Sequence, residues 1–248
     1  YDIDYHGYTN SADKGFIYGA LYKVQNFFFK RSLHGVVNKS SVVLDVGCGN
    51  GEFLARLKPL GVEKLYGIDF NERAVELATS HSIKVFKGVF SQYSSSNITF
   101  DTIFMNNYLE HTLDPKSELL KAKSLLSPNG FLIGEVPNFN SIDRHLFNRY
   151  WGGNHVPRHT FQFEPATLKN LLKEAGFHEI KITQEINTCH LALSIQNFLQ
   201  RNKPNLRKNS SIHHGRAQYY NFLLLLLLPI NIVFSLLGYS GVMKFRAK

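Results

Sequence analysis

Short apolar runs recur along the chain, each closed by glycine or polar turn residues and followed by a helical spacing. Val42, Val43, Leu44 and Val46 surround Asp45 in the first run, and the later runs are Lys64–Phe70, Ile83–Lys87, Phe100–Asn106, Phe131–Val136 and His178–Glu185. Their length and β-branched content predict strands. Between them, Asn71 and Glu72 read as the cap and first-turn acid of a helix through Ala78. Asp114 followed by Pro115 starts a second helix carrying Leu119, Leu120, Ala122, Leu125 and Leu126, and a third runs from Pro165 to Ala175 before Gly176 stops it. Strands alternating with helices predict an α/β fold on a mostly parallel sheet. In Val242–Lys248, Met243, Phe245 and Ala247 alternate with Lys244, Arg246 and Lys248, as in a strand with one buried face.

Three regions follow from this pattern: an N-terminal arm and helix at 1–40 that would act as a lid, a core at 41–185, and a helical, apolar insertion with the final strand at 186–248. In the arm, the stretch Ile17–Leu33 has helical spacing of Leu21, Val24, Phe27 and Phe28. A helix is expected near Cys189–Leu199, then a basic polar linker Arg201–Arg216, then Phe222–Leu237 with six consecutive leucines. Asn221, Pro229, Asn231 and Ser235 interrupt or border that apolar run, whereas a membrane span needs about 20 predominantly apolar residues. With a strand returning to the sheet after it, the segment is expected to be an insertion that packs inward or lies at an interface, with a membrane-spanning helix as the alternative.

The candidate chemistry begins at Asp45-Val-Gly47-Cys48-Gly49-Asn-Gly51, directly after the first strand. Three glycines at every second position leave main-chain N–H groups bare, so a ligand can lie against the backbone. A dinucleotide fingerprint starting at Gly47 would put glycine at position 52, which is Glu52. The motif instead resembles the first motif of class I S-adenosylmethionine-dependent methyltransferases. That resemblance implies a Rossmann-like, seven-stranded, mostly parallel sheet whose last strand is antiparallel, and it implies the cofactor S-adenosyl-L-methionine, released as S-adenosyl-L-homocysteine. Asp45, Gly47, Cys48, Gly49 and Gly51 would carry the methionine part, and Asp69, ending the second strand, would take the ribose hydroxyls, with Phe70 beside it. The turn after the third strand would border the adenine. With no acid at positions 88–90, Val89, Phe90 and main-chain groups are left for that task. Asn106 and Leu109, at the end of the fourth strand, complete the expected cofactor set.

Leu109-Glu110-His111 followed by Asp114-Pro115 resembles methyltransferases acting on small molecules, quinones and sugars, and the turn lacks the Asn/Asp-Pro-Pro-aromatic motif of base-amine methylation. A long polar and aromatic loop follows the fifth strand, and Trp151–Phe163 within it resembles a segment of methyltransferases encoded with glycan-building genes. An alcohol acceptor must lose a proton, and histidine titrates in the right range. His111, His159 and His155 are therefore candidate bases, with Glu110, Tyr150, Trp151 and Arg158 as acceptor-binding groups. No metal is expected, because the strand ends offer no Asp/Asn pair of the kind that cages a hard cation.

Composition adds two points. The net charge of +9 is concentrated late: residues 201–248 hold eight basic side chains and no acid, while residues 1–200 hold twenty basic and nineteen acidic. A nucleic-acid enzyme would spread basic surface around its cleft, so nucleic acid is not the expected partner, whereas residues 217–240 flanked by basic groups suit a membrane surface. Two cysteines give neither a disulfide framework nor a metal spacing, and no secretory signal is read. The reading is thus a cytoplasmic O-methyltransferase, peripheral at the inner face of the membrane, taking a small-molecule, glycan or lipid-linked acceptor. Two alternatives stay open: a nucleic-acid or protein methyltransferase, and a non-catalytic protein that binds the cofactor.

Overall fold

The computed structural model describes residues 29, 31, 33–95, 98–202 and 219–248. The expected lid and most of the Ile17–Leu33 helix lie outside the described residues, as does most of the basic linker. Seven strands form one sheet in the order β3, β2, β1, β4, β5, β7, β6. The chain divides into two compact units. One holds the described residues up to Phe104 together with Leu125–Phe131, and the other holds Met105–Ser124 and Leu132–Lys248.

In the first unit, strand β1 (Val42–Val46) pairs in parallel with β2 (Lys64–Asp69), which pairs in parallel with β3 (Lys84–Lys87). Strand β4 (Phe100–Asn106) lies on the other side of β1, also parallel. Parallel strands covered on both faces read as near-continuous apolar runs, and Val43, Leu44, Val46, Leu65, Ile68 and Ile103 are buried accordingly. Helix α1 (Glu52–Ala55) is one turn long. Helix α2 (Glu72–Ser80) starts where expected, the Asn71 side chain accepting from the Ala74 amide at 3.1 Å. It buries Ala74 and Ala78.

In the second unit, helix α3 (Pro115–Leu125) is followed by strand β5 (Leu126–Pro137) and the short helix α4 (Ile142–Phe147). After α5 (Pro165–Glu174) comes β6 (Lys181–Gln184). Helix α6 (Cys189–Leu199) has the bounds its sequence predicts. The leucine run forms two helices, α7 (Tyr220–Leu226) and α8 (Leu228–Leu236), with Pro229 in the first turn of the second. Proline lacks the amide and its ring crowds the preceding turn, so a single continuous helix is broken there. Strand β7 (Val242–Ala247) then pairs antiparallel with both β5 and β6. Met243, Phe245 and Ala247 are buried, so the alternating pattern reads out as a one-faced strand. Among the described residues, no helix is long and apolar enough to cross a membrane.

Candidate functional site

Two groups of side chains stand out, one in each unit. In the first unit, the glycine loop leaves β1 with Gly47, Gly49 and Gly51 all at positive φ (74°, 52° and 77°). Only glycine takes this sequence of turns without strain. The loop is pinned to the neighbouring strand by the Gly47 and Cys48 amides, which donate to the Ile68 carbonyl at 2.8 and 3.0 Å. It is pinned again by the Gly49 amide, which donates to Asp69 Oδ2 at 2.9 Å, while Asp69 Oδ1 accepts from the Asn71 amide at 2.9 Å. The acid at the end of β2 therefore shapes the loop as well as facing it, and each of its oxygens keeps a further lone pair for a hydroxyl donor.

Burial raises the pKa of Asp69, and the amides of Asn71, Gly49 and Phe70 oppose that shift. Asp45 is buried, and burial and then the nearby charge of Asp69 hold its carboxyl well above the usual range. Burial also pushes the Cys48 thiol up, so it is a small packing residue and no nucleophile. Phe90 is buried and Val89 exposed, and Phe70 is about half exposed.

The raised Asp45 has a measurable consequence. A carboxyl that holds its proton more tightly folded than unfolded stabilises the fold below its unfolded pKa, near 4, and loses that contribution as pH rises through the raised value. Asp45→Asn is therefore expected to raise the melting temperature of the cofactor-free chain at pH 8, with the gain shrinking toward pH 4. Calorimetric scans across that range check the sign.

The second unit carries the other group. Leu109–His111 form one turn of 3₁₀ helix after β4, with Leu109 and Glu110 buried. The loop from 152 to 163 folds back on it: the Thr160 and Phe161 amides donate to the Glu110 carbonyl at 2.8 and 3.2 Å, and Thr160 Oγ1 bonds the same carbonyl at 3.1 Å. This return places His159 against His111, ring centroids 4.7 Å apart and close to perpendicular. His155 lies 5.1 Å from His159 and is exposed.

Each ring of this half-buried pair is fixed through Nδ1. His111 bonds the Arg158 carbonyl at 3.0 Å, and His159 bonds the Gly153 carbonyl at 2.8 Å. Burial lowers the pKa of both, His159 to about 3, with the neighbouring His111 adding to the effect. Both are neutral at pH 7. Glu110 is 1% exposed, neither of its carboxylate oxygens has a hydrogen-bond partner among the described residues, and burial pushes its pKa up to about 8. One ligand atom each from Glu110, His111 and His159 lies within 4.8 Å of the others.

The remaining expected residues fall into two sets. Asn106 is half-buried at the end of β4. Tyr150 is half-buried, its ring 4.9 Å from the Arg149 guanidinium. Trp151, expected to touch an acceptor, is 2% exposed and its Nε1 donates to Asp143 Oδ2 at 3.0 Å, so it packs the interior of its unit. Sequence reading missed Asp143 and His190, which lie beside that indole: Asp143 is buried with Oδ1 unpartnered among the described residues, and burial lowers the pKa of His190.

Comparison with known proteins gives a consistent picture. A family model described as a methyltransferase domain matches residues 23–182. The chain is 32% identical over 160 residues to the tRNA U34 carboxymethyltransferase of Vibrio cholerae, covering 59% of this chain and 48% of that protein. It is 28% identical over 156 residues to the ubiquinone biosynthesis O-methyltransferase of Thiobacillus denitrificans, covering 57% and 66%. The chain thus spans about half the length of the first of these relatives and just under two thirds of the second. In fold it is similar to a SAM-dependent methyltransferase from Archaeoglobus fulgidus, with a TM-score of 0.59 at 20% identity over 92% of this chain and 93% of that one. A tRNA-modifying relative leaves the expectation against nucleic acid without support.

Proposed function

The chain belongs to the class I S-adenosylmethionine-dependent methyltransferases, and from that premise we propose that it transfers the methyl group to a hydroxyl oxygen of a small-molecule, glycan or lipid-linked acceptor. In this reading the loop Gly47–Gly51, with Asp45 and Cys48, carries the methionine part of the cofactor, and Asp69 takes the ribose hydroxyls. Phe70, Val89 and Phe90, in the first unit, would border the nucleoside. The acceptor oxygen attacks the methyl carbon in line, the carbon–sulfur bond breaks with its electron pair going to sulfur, and the hydroxyl proton passes to the imidazole Nε2 of His111, with His159 and His155 the other candidate bases. Holding donor and acceptor at near-attack distance supplies most of the rate.

Proton loss sets an alcohol acceptor apart, and one observation carries this reading: two neutral, orientation-locked histidines stand beside a buried carboxyl at Glu110. Proton management of this kind contributes about 10²- to 10⁴-fold. Arg158 and Tyr150, from the same loop, would contact the acceptor. The test is transfer of labelled methyl from S-adenosylmethionine to phenolic, sugar and polyprenyl-linked hydroxyls. Product on a hydroxyl supports the reading. Product only on RNA, in a salt-sensitive reaction, would instead favour the nucleic-acid alternative that the tRNA-modifying relative raises.

A second observation favours a lipid-side acceptor. Helices α7 and α8 bury Tyr220, Leu227 and Asn231 and leave most of their other apolar residues exposed, Phe222, Leu228, Ile230 and Val233 among them, with Leu236 82% exposed. A large apolar surface flanked by basic sequence (Arg207, Lys208, Arg216) suits contact with an anionic membrane surface. The chain is expected to float with vesicles containing anionic lipid and to stay behind with neutral ones. Replacing Leu225, Leu226, Leu236 and Leu237 by serine should abolish flotation, and co-flotation of that variant would sink the idea.

A further inference from the structure

We propose that Glu110, His111 and His159 form a binding site for one divalent transition-metal ion of the zinc type. The proposal deepens the reading above, and rests on it only for what the ion would act upon. The three donors are one carboxylate and two imidazoles, their ligand atoms within 4.8 Å of one another. Ligands about 2.0–2.1 Å from a tetrahedral zinc stand about 3.3 Å apart, so the cluster has to close by up to about 1.5 Å on taking up the ion.

Two independent features point to a cation. The first is the buried carboxyl. Glu110 is 1% exposed and both its oxygens lack a hydrogen-bond partner among the described residues. Buried polar atoms are almost always satisfied, so a carboxyl with both oxygens unpartnered in the interior is an exception that calls for a ligand. A bound cation satisfies it directly.

The second is the way both rings are held. His111 and His159 each use Nδ1 on a main-chain carbonyl, which fixes the tautomer with the lone pair on Nε2 and sets the ring plane. Metal-ligating histidines are held by this same outer hydrogen bond. Two imidazoles also decide the class of ion, since magnesium and calcium prefer oxygen donors while imidazole suits zinc, iron and nickel.

The expectation of no metal rested on the absence of Asp/Asn pairs at strand ends, whereas the proposed site would be assembled by a loop that returns through Thr160 to the Glu110 carbonyl. Three protein ligands leave at least one position open. A hydroxyl bound there loses its proton to solvent at lower pH, which is the chemistry the ion would supply when present.

The full chain, stripped with chelator and dialysed, is titrated with Zn²⁺ by calorimetry and with Co²⁺ by visible absorption. One equivalent per chain is expected, with cobalt bands typical of four or five ligands. Loss of a group that only hydrogen-bonds to a ligand costs about 10- to 100-fold in metal affinity, so Glu110→Gln and the double variant H111Q/H159Q should each weaken Zn²⁺ binding at least about 100-fold. His178→Gln, an exposed histidine elsewhere, should bind as the parent does.

Binding of S-adenosylhomocysteine and circular dichroism verify that each variant is folded, and Glu110→Gln, nearly isosteric, keeps the test sharp if the double variant is not. No stoichiometric uptake by the parent chain overturns the site, and so does uptake unchanged in Glu110→Gln. Cation binding that the variants abolish, in a chain that methylates no hydroxyl, leaves the site standing and overturns the acceptor assignment instead.

Discussion

Asp69→Ala is expected to weaken binding of S-adenosylhomocysteine by more than 100-fold, the largest loss of affinity from any single side chain in the first unit. In the proposed role this buried carboxylate accepts from two ribose hydroxyls, and a hydrogen bond to a charged group contributes about 1.5–3 kcal/mol. Two of them come to about 3 kcal/mol or more, and every 1.4 kcal/mol is tenfold in affinity. The alanine variant also strips the Gly49 and Asn71 amides of their acceptor, so part of the loss comes from a loosened loop. Asp69→Asn separates the two contributions. It keeps one acceptor oxygen but loses the charge, and should fall between parent and alanine. Calorimetry with the homocysteine product reads both variants. Parent-like affinity in Asp69→Ala would remove this residue from the cofactor's grip.

Gly51→Ala is expected to lower stability by about 3 kcal/mol and to abolish cofactor binding with it. Gly51 sits at φ +77°, where a side chain carries a left-handed penalty of about 1–2 kcal/mol. A β-carbon there would also stand 2.7 Å from Ile83 Cδ1 and 2.9 Å from both Ala78 Cα and Cβ. The Ile83 tip can move, but the α2 backbone at Ala78 cannot yield without shifting the helix, and overpacking of this kind costs about 1–3 kcal/mol. For a chain of this size, that loss corresponds to a fall of about 10 °C in melting temperature. A variant that melts with the parent would show that the loop does not pack as described.

Local patterns made the frame legible. Alternation in Val242–Lys248 marked a one-faced strand, the six-strand succession marked the parallel sheet, and Asn71 marked the start of α2. These signals lie within one turn or one pleat, where chemistry and conformation are coupled directly. The proline in the leucine run was visible too, and it breaks that run into two helices as proline must.

Contacts between distant segments were not legible. Nothing near Glu110 announces that Thr160 will cap its carbonyl, or that His159 will be carried onto His111. Nor does Trp151 reveal that its indole will be committed to Asp143 and not to an acceptor. Such pairings depend on how a loop returns, and a return path leaves no periodic trace.

The order of strands in the second unit also constrains how that unit is made. Strand β7 enters between β5 and β6, both of which precede it, and β6 pairs with β7. Until the leucine helices have left the ribosome and β7 follows them, β5 presents an open edge on that side and β6 has no ladder to join. A nascent chain halted after Leu237 therefore carries an unfilled slot in its sheet beside a bare oily segment, the combination that chaperones bind and that aggregates when they are absent.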